Sequence, residues 1–454
     1  MEYGRMNKDR MNQTEPDRLR RQFLQEVYRI PPAYIALLDE AEYELREAFA
    51  SVDERADYNQ LRLLHCFQRN GVTDFHLNGS TGYGYGDTGR EALEAVFAAY
   101  FCGEQALVRN QIVSGTHALA LGLYGNLKSG DALISAAGQP YDTLQSIIGL
   151  HGEADSLLAS GVTYREIPLK EEGAEGIIDL PRLLDAVNEK TKLILLQRSK
   201  GYQWRPSLSL QELENVISAL KAKKGDLLCL VDNCYCEMTE TREPGDAGAD
   251  LTIGSLIKNP GGTLAPCGGY IVGTRSCVEA CVRRLYAPGL RSDMGATLEF
   301  NRLAFQGLSQ APQTVGQSMK GAMLAGAFFH RLGYAVMPPA VQTGSDETIL
   351  GNRADIVQAV RLEEEAKLIR FCQGIQQACP VNAAFLPEPD RLPGYDCPIV
   401  MAGGGFIQGS SSELSADGPL RPPYIAYLQG GFSLAQIRLG LLLAAKALQD
   451  TLRP

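Results

Sequence analysis

The sequence predicts an α/β fold, a mostly parallel sheet with helices on both faces followed by a smaller C-terminal domain. Three observations carry the prediction. Seven short apolar runs, ALVR, DALISA, VTYREI, KLILLQ, LLCLVD, LTIGS and GGYIVG, recur along the first two thirds of the chain. Helical patterns such as THALALGLYGNL and LQELENVISALKAK fall between most of them, as in parallel strands joined by helical crossovers. From about residue 311 the pattern changes to long helical runs, APQTVGQSMKGAMLAGAFFHRLG and RADIVQAVRLEEEAKLIRFCQGIQQAC, and then to a Gly- and Pro-rich end.

The elements divide into three parts. Residues 1–75 form a helical arm, rich in Leu, Ala, Glu and Arg at helical spacing, with the prolines at 31 and 32 opening its second helix. Residues 76–315 form the large domain, entered through the turn NGSTGYGYGDTG. Residues 316–454 form the small one. With 454 residues, 45% of them hydrophobic, the chain has ample material for such cores.

A net charge of −10 and a pI near 5.2, without long basic runs, argue against nucleic-acid or anionic-membrane partners and favour a small-molecule ligand. The first 21 residues lack the apolar stretch of a signal peptide, and no uncharged apolar run is long enough for a membrane helix, so a cytoplasmic protein is expected. Eleven scattered cysteines suit a reducing compartment better than a disulfide framework. Cys234 and Cys236, and Cys277 and Cys281, are closely spaced, but no histidine accompanies them as in a zinc site, and no metal is expected.

In a parallel α/β sheet, ligands sit beyond the carboxyl ends of the strands. Ser114, Gly115 and Thr116 open a helix, where free N–H groups bind phosphate, although an ordinary N-cap has the same composition. Tyr141 in GQPYDT can lie flat on a planar ligand or fill a core. Asp232 ends LLCLVD and can cap a turn or face a cationic ring nitrogen. Ser255 and Lys258 follow in TIGSLIK, and a lysine among apolar neighbours either reaches for water or gives up its charge to become a nucleophile. Phosphate cup, aromatic face, acid for a pyridine nitrogen and amine for an aldehyde together describe pyridoxal 5'-phosphate held as a Schiff base. The glycines after Lys258 are expected to let the backbone turn tightly beside the cofactor. A competing pattern, Gly84, Gly86 and Gly89 as G-x-G-x-x-G, follows the polar DFHLNGST instead of the apolar strand that a dinucleotide site requires.

The segments VSGTHALALGLYGNLKSGDALIS, QPYDT, VDNCY and SLIK resemble those of fold type I pyridoxal-phosphate enzymes of the cysteine and methionine metabolism group. More closely, STGYGYGDTGREALE, VRNQIVSGTHA, GQPYDTL, IKNPGG, QGSSSELSADGPLRPPY and YLQGG are similar to the methionine gamma-lyase-like family, also labelled aluminium resistance or cystathionine beta-lyase-like proteins. The resemblance implies a seven-stranded, mostly parallel sheet with a smaller α+β C-terminal domain. It implies Lys258 as the Schiff-base lysine, Asp232 as partner of the pyridine nitrogen and Tyr141 as the stacking ring. Gly115, Thr116 and Ser255 would hold the phosphate. For the carboxylate of an amino-acid substrate it points first to Arg438 in IRLG, with Arg421 and Arg198 as rivals. Ile257 stands where the wider group often has a threonine. Tyr83, Tyr85 and Arg90 replace, in altered spacing, the tyrosine-x-arginine element that reaches a neighbouring subunit's phosphate.

The activity this implies is a lyase that eliminates the sulfur-bearing side chain of an amino acid, in a homotetramer built as a dimer of dimers. An aminotransferase would use the same core residues, and a non-catalytic cofactor-binding protein of metal tolerance is a third reading.

Overall fold

The structure is a computed structural model that describes residues 14–170, 176–339 and 353–450. The expected arm begins with helices α1 (Glu15–Glu26), α2 (Pro32–Glu44) and α3 (Arg46–Arg69); its first 13 residues lie outside the described ones. Thr14 caps α1 by accepting from the Asp17 N–H, and Pro32 opens α2 at the position where a missing N–H costs least. A short 3-10 turn leads to α4 (Thr88–Tyr100), capped by Asp87.

All seven expected strands form: β1 (Gln105–Arg109), β2 (Ala132–Ser135), β3 (Thr163–Glu166), β4 (Thr191–Gln197), β5 (Leu228–Asp232), β6 (Leu251–Ser255) and β7 (Gly269–Gly273). They make one seven-stranded sheet in the order β1-β7-β6-β5-β4-β2-β3. Five strands run parallel through β3, β2, β4, β5 and β6, whereas β7 lies antiparallel to both β6 and β1. The reason is the connection: β6 and β7 are joined by the short segment after Lys258, with no crossover helix to bring the chain back to the starting edge. Between strands run α5 (Gly115–Asn126), α6 (Asp142–Ile148), α7 (Leu180–Ala186) and α8 (Leu210–Lys223), and α9 (Arg275–Leu285) follows β7. Strand side chains alternate between two cores: Leu193, Leu195, Leu230 and Ile253 face one layer, Ile194, Leu196, Cys229 and Val231 the other.

Helix α10 (Phe300–Arg331) runs 32 residues through the boundary expected at 315/316 and belongs to the core that joins the arm to the C-terminal part. That part is a five-stranded antiparallel sheet in the order β10-β11-β12-β9-β8. Its strands are β8 (Ala335–Met337), β9 (Val357–Arg361), β10 (Ile399–Gly403), β11 (Ser415–Pro419) and β12 (Ile425–Gln429), with α11 (Glu365–Gln376) and α12 (Leu434–Asp450). Among the described residues, no helix is long and apolar enough to cross a membrane.

The glycines after Lys258 serve helix packing. A methyl on Gly262, whose φ is +52°, would come within 2.1 Å of the Gly307 carbonyl oxygen of α10, and one on Gly307 would lie 2.1 Å from the Gly261 carbonyl oxygen. Backbone meets backbone there, with no flexible side chain to give way. Gly307→Ala is therefore expected to lower stability by about 1–3 kcal/mol, measured as a drop in urea midpoint with unchanged m; wild-type stability in the variant would contradict this packing.

Candidate active site

The parallel register brings the carboxyl ends of β4, β5 and β6 to one edge: Gln197 pairs with Asp232, and Asp232 with Ile253, two residues before Ser255. Chain direction through β7 puts the end of β1 at the same edge, since Arg109 and Ser255 both pair with Gly269. The turn after β1 supplies Ser114, whose extended backbone and hydroxyl cap α5 by accepting from the His117 N–H at 3.0 Å. Gly115 then lies directly against Ser255. A Cβ added to it would sit 3.2 Å from the Ser255 Cβ and 3.4 Å from the Cys234 sulfur. The hydroxyl of Thr116 meets that of Thr143, at the start of α6, at 2.8 Å.

Lys258 follows β6 by three residues and is half-buried. Its ammonium sits 3.9 Å from the centre of the Tyr235 ring, a cation–π contact. Its backbone is pinned from the other domain, where the Ser412 hydroxyl donates to the Lys258 carbonyl at 2.6 Å. Burial works against the charge, but the Cys234, Tyr235, Asp232 and Glu237 groups around it outweigh burial and hold its pKa above the usual lysine value. The lysine therefore keeps its proton in this arrangement and does not give it up to apolar neighbours. Asp232 is buried, and its Oδ1 accepts from the Cys234 N–H at 3.1 Å; burial pushes its pKa up, against the pull of the Lys258 charge and that N–H.

Tyr141 follows the turn after β2, its N–H donating to Gln197 Oε1 at 2.9 Å. Gly201 leaves room for the ring, since a methyl there would stand 3.1 Å from it. The Tyr141 hydroxyl meets that of Tyr395, from the C-terminal part, at 2.7 Å. Tyr202 packs on Tyr141, Tyr395 and Tyr427, with centroids 5.5, 6.2 and 5.1 Å apart. Asp417 on β11 accepts from the Gln429 amide at 3.1 Å, and burial pushes its pKa up to about 6. Tyr202, Tyr235, Tyr395 and Asp417 were not singled out from the sequence, although VDNCY, RSKGY and SADGPL each carried one beside a residue that was.

Of the three arginines, two are committed elsewhere. Arg438 lies in α12 and turns toward the arm, its Nε donating to Glu42 Oε2 at 2.8 Å in a two-pronged ion pair. Arg198 is fully buried, bonded to Asn233 Oδ1 at 2.7 Å, paired with Glu240 and donating to the Leu208 carbonyl. Arg421, in the turn between β11 and β12, is exposed, and its nearest carboxylate is Asp142, beside Tyr141, at 3.9 Å. Tyr83 and Tyr85 are exposed and lie against each other at the surface, their tilted rings 5.6 Å apart. Arg90 is buried behind them, donating to the carbonyls of Gly84, Gly295 and Asp293, so it ties two loops together and presents no free guanidinium. The glycine pattern at 84, 86 and 89 follows a 3-10 turn and no strand, which removes the dinucleotide reading.

With this geometry in view, comparison with known proteins is direct. The methionine gamma-lyase family model matches residues 34–449. This chain belongs to that family. It is 42% identical over 413 residues to the uncharacterized protein YnbB of Bacillus subtilis, covering 90% of this chain and 95% of that one. It is also similar to a carbon-sulfur lyase involved in aluminum resistance from Clostridium novyi NT, at 39% identity and a TM-score of 0.87 over 96% of this chain and 99% of that one. The methionine gamma lyase CalE6 of Micromonospora echinospora shares the fold, at 17% identity and a TM-score of 0.52 over 81% of this chain and 87% of that one. The expected fold type I architecture and its family are thus established for this chain.

Behind the lysine lies Glu237, fully buried, accepting from the Tyr270 hydroxyl at 2.9 Å, with its pKa pushed by burial up to about 8. A carboxyl with a raised folded pKa stabilises fully below its unfolded value, near 4.5, and that contribution is lost as pH rises through about 8. Glu237→Gln, which keeps the acceptor for Tyr270, is expected to remove part of the fall in stability between those pH values. Chemical denaturation of both proteins across that range tests it; parallel curves would contradict it.

Proposed function

We propose that this chain is a pyridoxal 5'-phosphate-dependent carbon–sulfur lyase acting on a sulfur-containing amino acid, with Lys258 as the covalent anchor of the cofactor. The observation that carries this reading is the convergence of Lys258, Asp232, Ser255, Gly115, Thr116 and Tyr141 at one sheet edge. The residues fit the group. Gly115, with no side chain, lets the start of α5 lie close against Ser255, and the free N–H groups there suit a phosphate, with Thr116 adding a hydroxyl. Asp232 supplies a buried carboxylate for the ring nitrogen, and Tyr141 a face for the ring. When bound, the cofactor supplies an electron sink that weakens the bonds at the substrate's α carbon.

The protein's own groups do the rest. Once free as an amine, Lys258 removes the α proton. Burial, with the neighbouring Tyr235, Tyr395 and Asp417, holds the Tyr141 phenol far above its usual pKa, so it stays protonated and, paired with Tyr395, can donate to the departing sulfur. Arg421 is the arginine left to bind the substrate carboxylate. Tyr83, Tyr85, Phe75 and Leu298, all well exposed, support burial against a second copy of the chain, as a homotetramer built of dimers would require.

The purified protein is expected to be yellow, with borohydride fixing the cofactor on Lys258 and Lys258→Ala colourless after reconstitution. A colourless wild-type protein that takes up no pyridoxal phosphate would sink the proposal. Keto acid and thiol released without a keto-acid acceptor mark a lyase; dependence on an acceptor marks an aminotransferase. Arg421→Met should lower kcat/KM by about 10–100-fold, the loss of a charged hydrogen bond, whereas Arg438→Met should leave KM unchanged and weaken only the arm.

A further inference from the structure

One buried acid close to Lys258 has no part in the proposed elimination. Glu237 lies in the turn after β5, and its carboxyl rests against the face of β6 that packs toward α4. Gly254 makes room for it: a methyl there would come within 2.7 Å of Glu237 Oε1 and 2.6 Å of the Tyr270 hydroxyl, the two groups that bond each other. Asn259, the residue after Lys258, donates from its side chain to the Glu237 carbonyl at 2.9 Å. The acid is thus fastened to the chain on both sides of the lysine.

Its surroundings do not suit a negative charge. Oε1 accepts from the Tyr270 phenol, a neutral donor packed on Phe97 and Phe101 of α4, and the equally buried Oε2 has no hydrogen-bond partner among the described residues. The titratable groups that act on it are Tyr270 from β7, Lys258 past β6 and Glu243 farther along its own loop. Cys234 and Cys236 stand in the same turn as neutral thiols, and Arg198, past β4, is committed to Glu240. A buried carboxylate so poorly provided for is costly, so the group is a neutral acid at neutral pH. A charge on the lysine and a charge on the acid favour each other, and burial leaves little water to screen them. We propose that Glu237 is a positioning residue for the proton on Lys258: as the neutral acid it lets the lysine give that proton up, and once ionised it holds the lysine as the ammonium. Lys258 therefore gains less from alkaline solution than an ordinary lysine does. The coupling stands on the geometry; that it governs the lysine anchoring a cofactor rests on the lyase reading.

Glu237→Gln keeps the acceptor for Tyr270 and cannot ionise. Competitive acetylation of the full-length chain freed of cofactor, with Lys258 read by mass spectrometry against the other lysines, gives its free-amine fraction at each pH. Wild type and variant are expected to agree below about pH 7 and to part above about pH 8, where the acid ionises. At about pH 9.5 Lys258 of the variant should react roughly three- to tenfold faster. A change of packing alone moves the rate by one factor at every pH, so a constant ratio, like superimposed curves, overturns the inference. Reciprocity gives a second readout. Lys258→Met, which deletes the cation, is expected to keep the carboxyl protonated to higher pH, seen in the infrared carbonyl band that Glu237→Gln removes; an unmoved midpoint overturns the inference as well. Should Glu237→Gln fail to fold, Tyr270→Phe decides. It removes a donor to the same carboxyl and delays its ionisation, so Lys258 should again react faster than wild type at about pH 9; equal rates overturn the inference. Both readouts use the chain without cofactor. A protein that takes up no pyridoxal phosphate therefore sinks the lyase reading and leaves the coupling standing, whereas uncoupled titrations beside a yellow, thiol-releasing holoenzyme do the reverse.

Discussion

The site depends on keeping a cation, the Lys258 ammonium, in a half-buried place. An unpaired charge there would cost several kcal/mol, and the sheet removes that cost by its strand order. Because β5 and β6 are neighbours and parallel, the residue ending one and the residue just past the other face the same edge. Asp232 and Lys258 are thereby brought together from segments that are separate in the chain. Tyr235, on the turn after Asp232, adds its ring face. One short stretch, DNCYCE, thus surrounds the lysine on several sides, while Asn233 within it points away to receive Arg198.

The recess is completed by the C-terminal part, so the position of that part matters as much as the sheet. A dry seam fixes it. Lys200, just past β4, is wholly buried and paired with the equally buried Asp355, with the Val357 carbonyl and Ser199 hydroxyl satisfying the remaining groups. Such a pair tolerates little displacement, because separating its members strands a charge without water. Tyr202 is two residues from Lys200, and β9 begins two residues past Asp355. The seam therefore holds the ring of Tyr202 against β12 and within reach of Asp417. Ser412 makes a second tie at the Lys258 carbonyl. Both ties are polar and specific, so they set a position in a way that apolar contact alone does not.

What was legible in the sequence follows the range of the interaction. The strands were readable because alternating burial on two faces writes itself into consecutive residues, Leu193 to Leu196 being a clear run. That Lys258, Asp232, Ser255 and Gly115 lie together was readable because strand ends in a parallel sheet share one edge. The arginines were not, since a guanidinium serves a substrate or a neighbouring carboxylate equally well. Only the fold shows Glu42 in front of Arg438 and Glu240 beside Arg198. The glycines after Lys258 were legible in part: Gly262 does end a tight 3-10 turn in the left-handed region, whereas the close approach of Gly307, on a distant helix, leaves no local trace. The tyrosines of the recess are dispersed from Tyr141 to Tyr427, with no spacing to connect them.

The charge state of the recess narrows what it can hold. Burial raises the pKa of Tyr141, Tyr202 and Tyr235, so these phenols are neutral at physiological pH and act as donors and as ring faces. Cys234 is likewise held as a thiol by burial. The formal charges left facing the lysine are carboxylates, Asp232 on the sheet side and Asp417 on the side of the C-terminal part. In the proposed function Asp232 would face the cationic ring of the cofactor. Asp417 accepts from a neutral donor, the Gln429 amide, which stabilises its charge without cancelling it. In this arrangement the Lys258 ammonium is the cation that both carboxylates face, so its charge and theirs are set together.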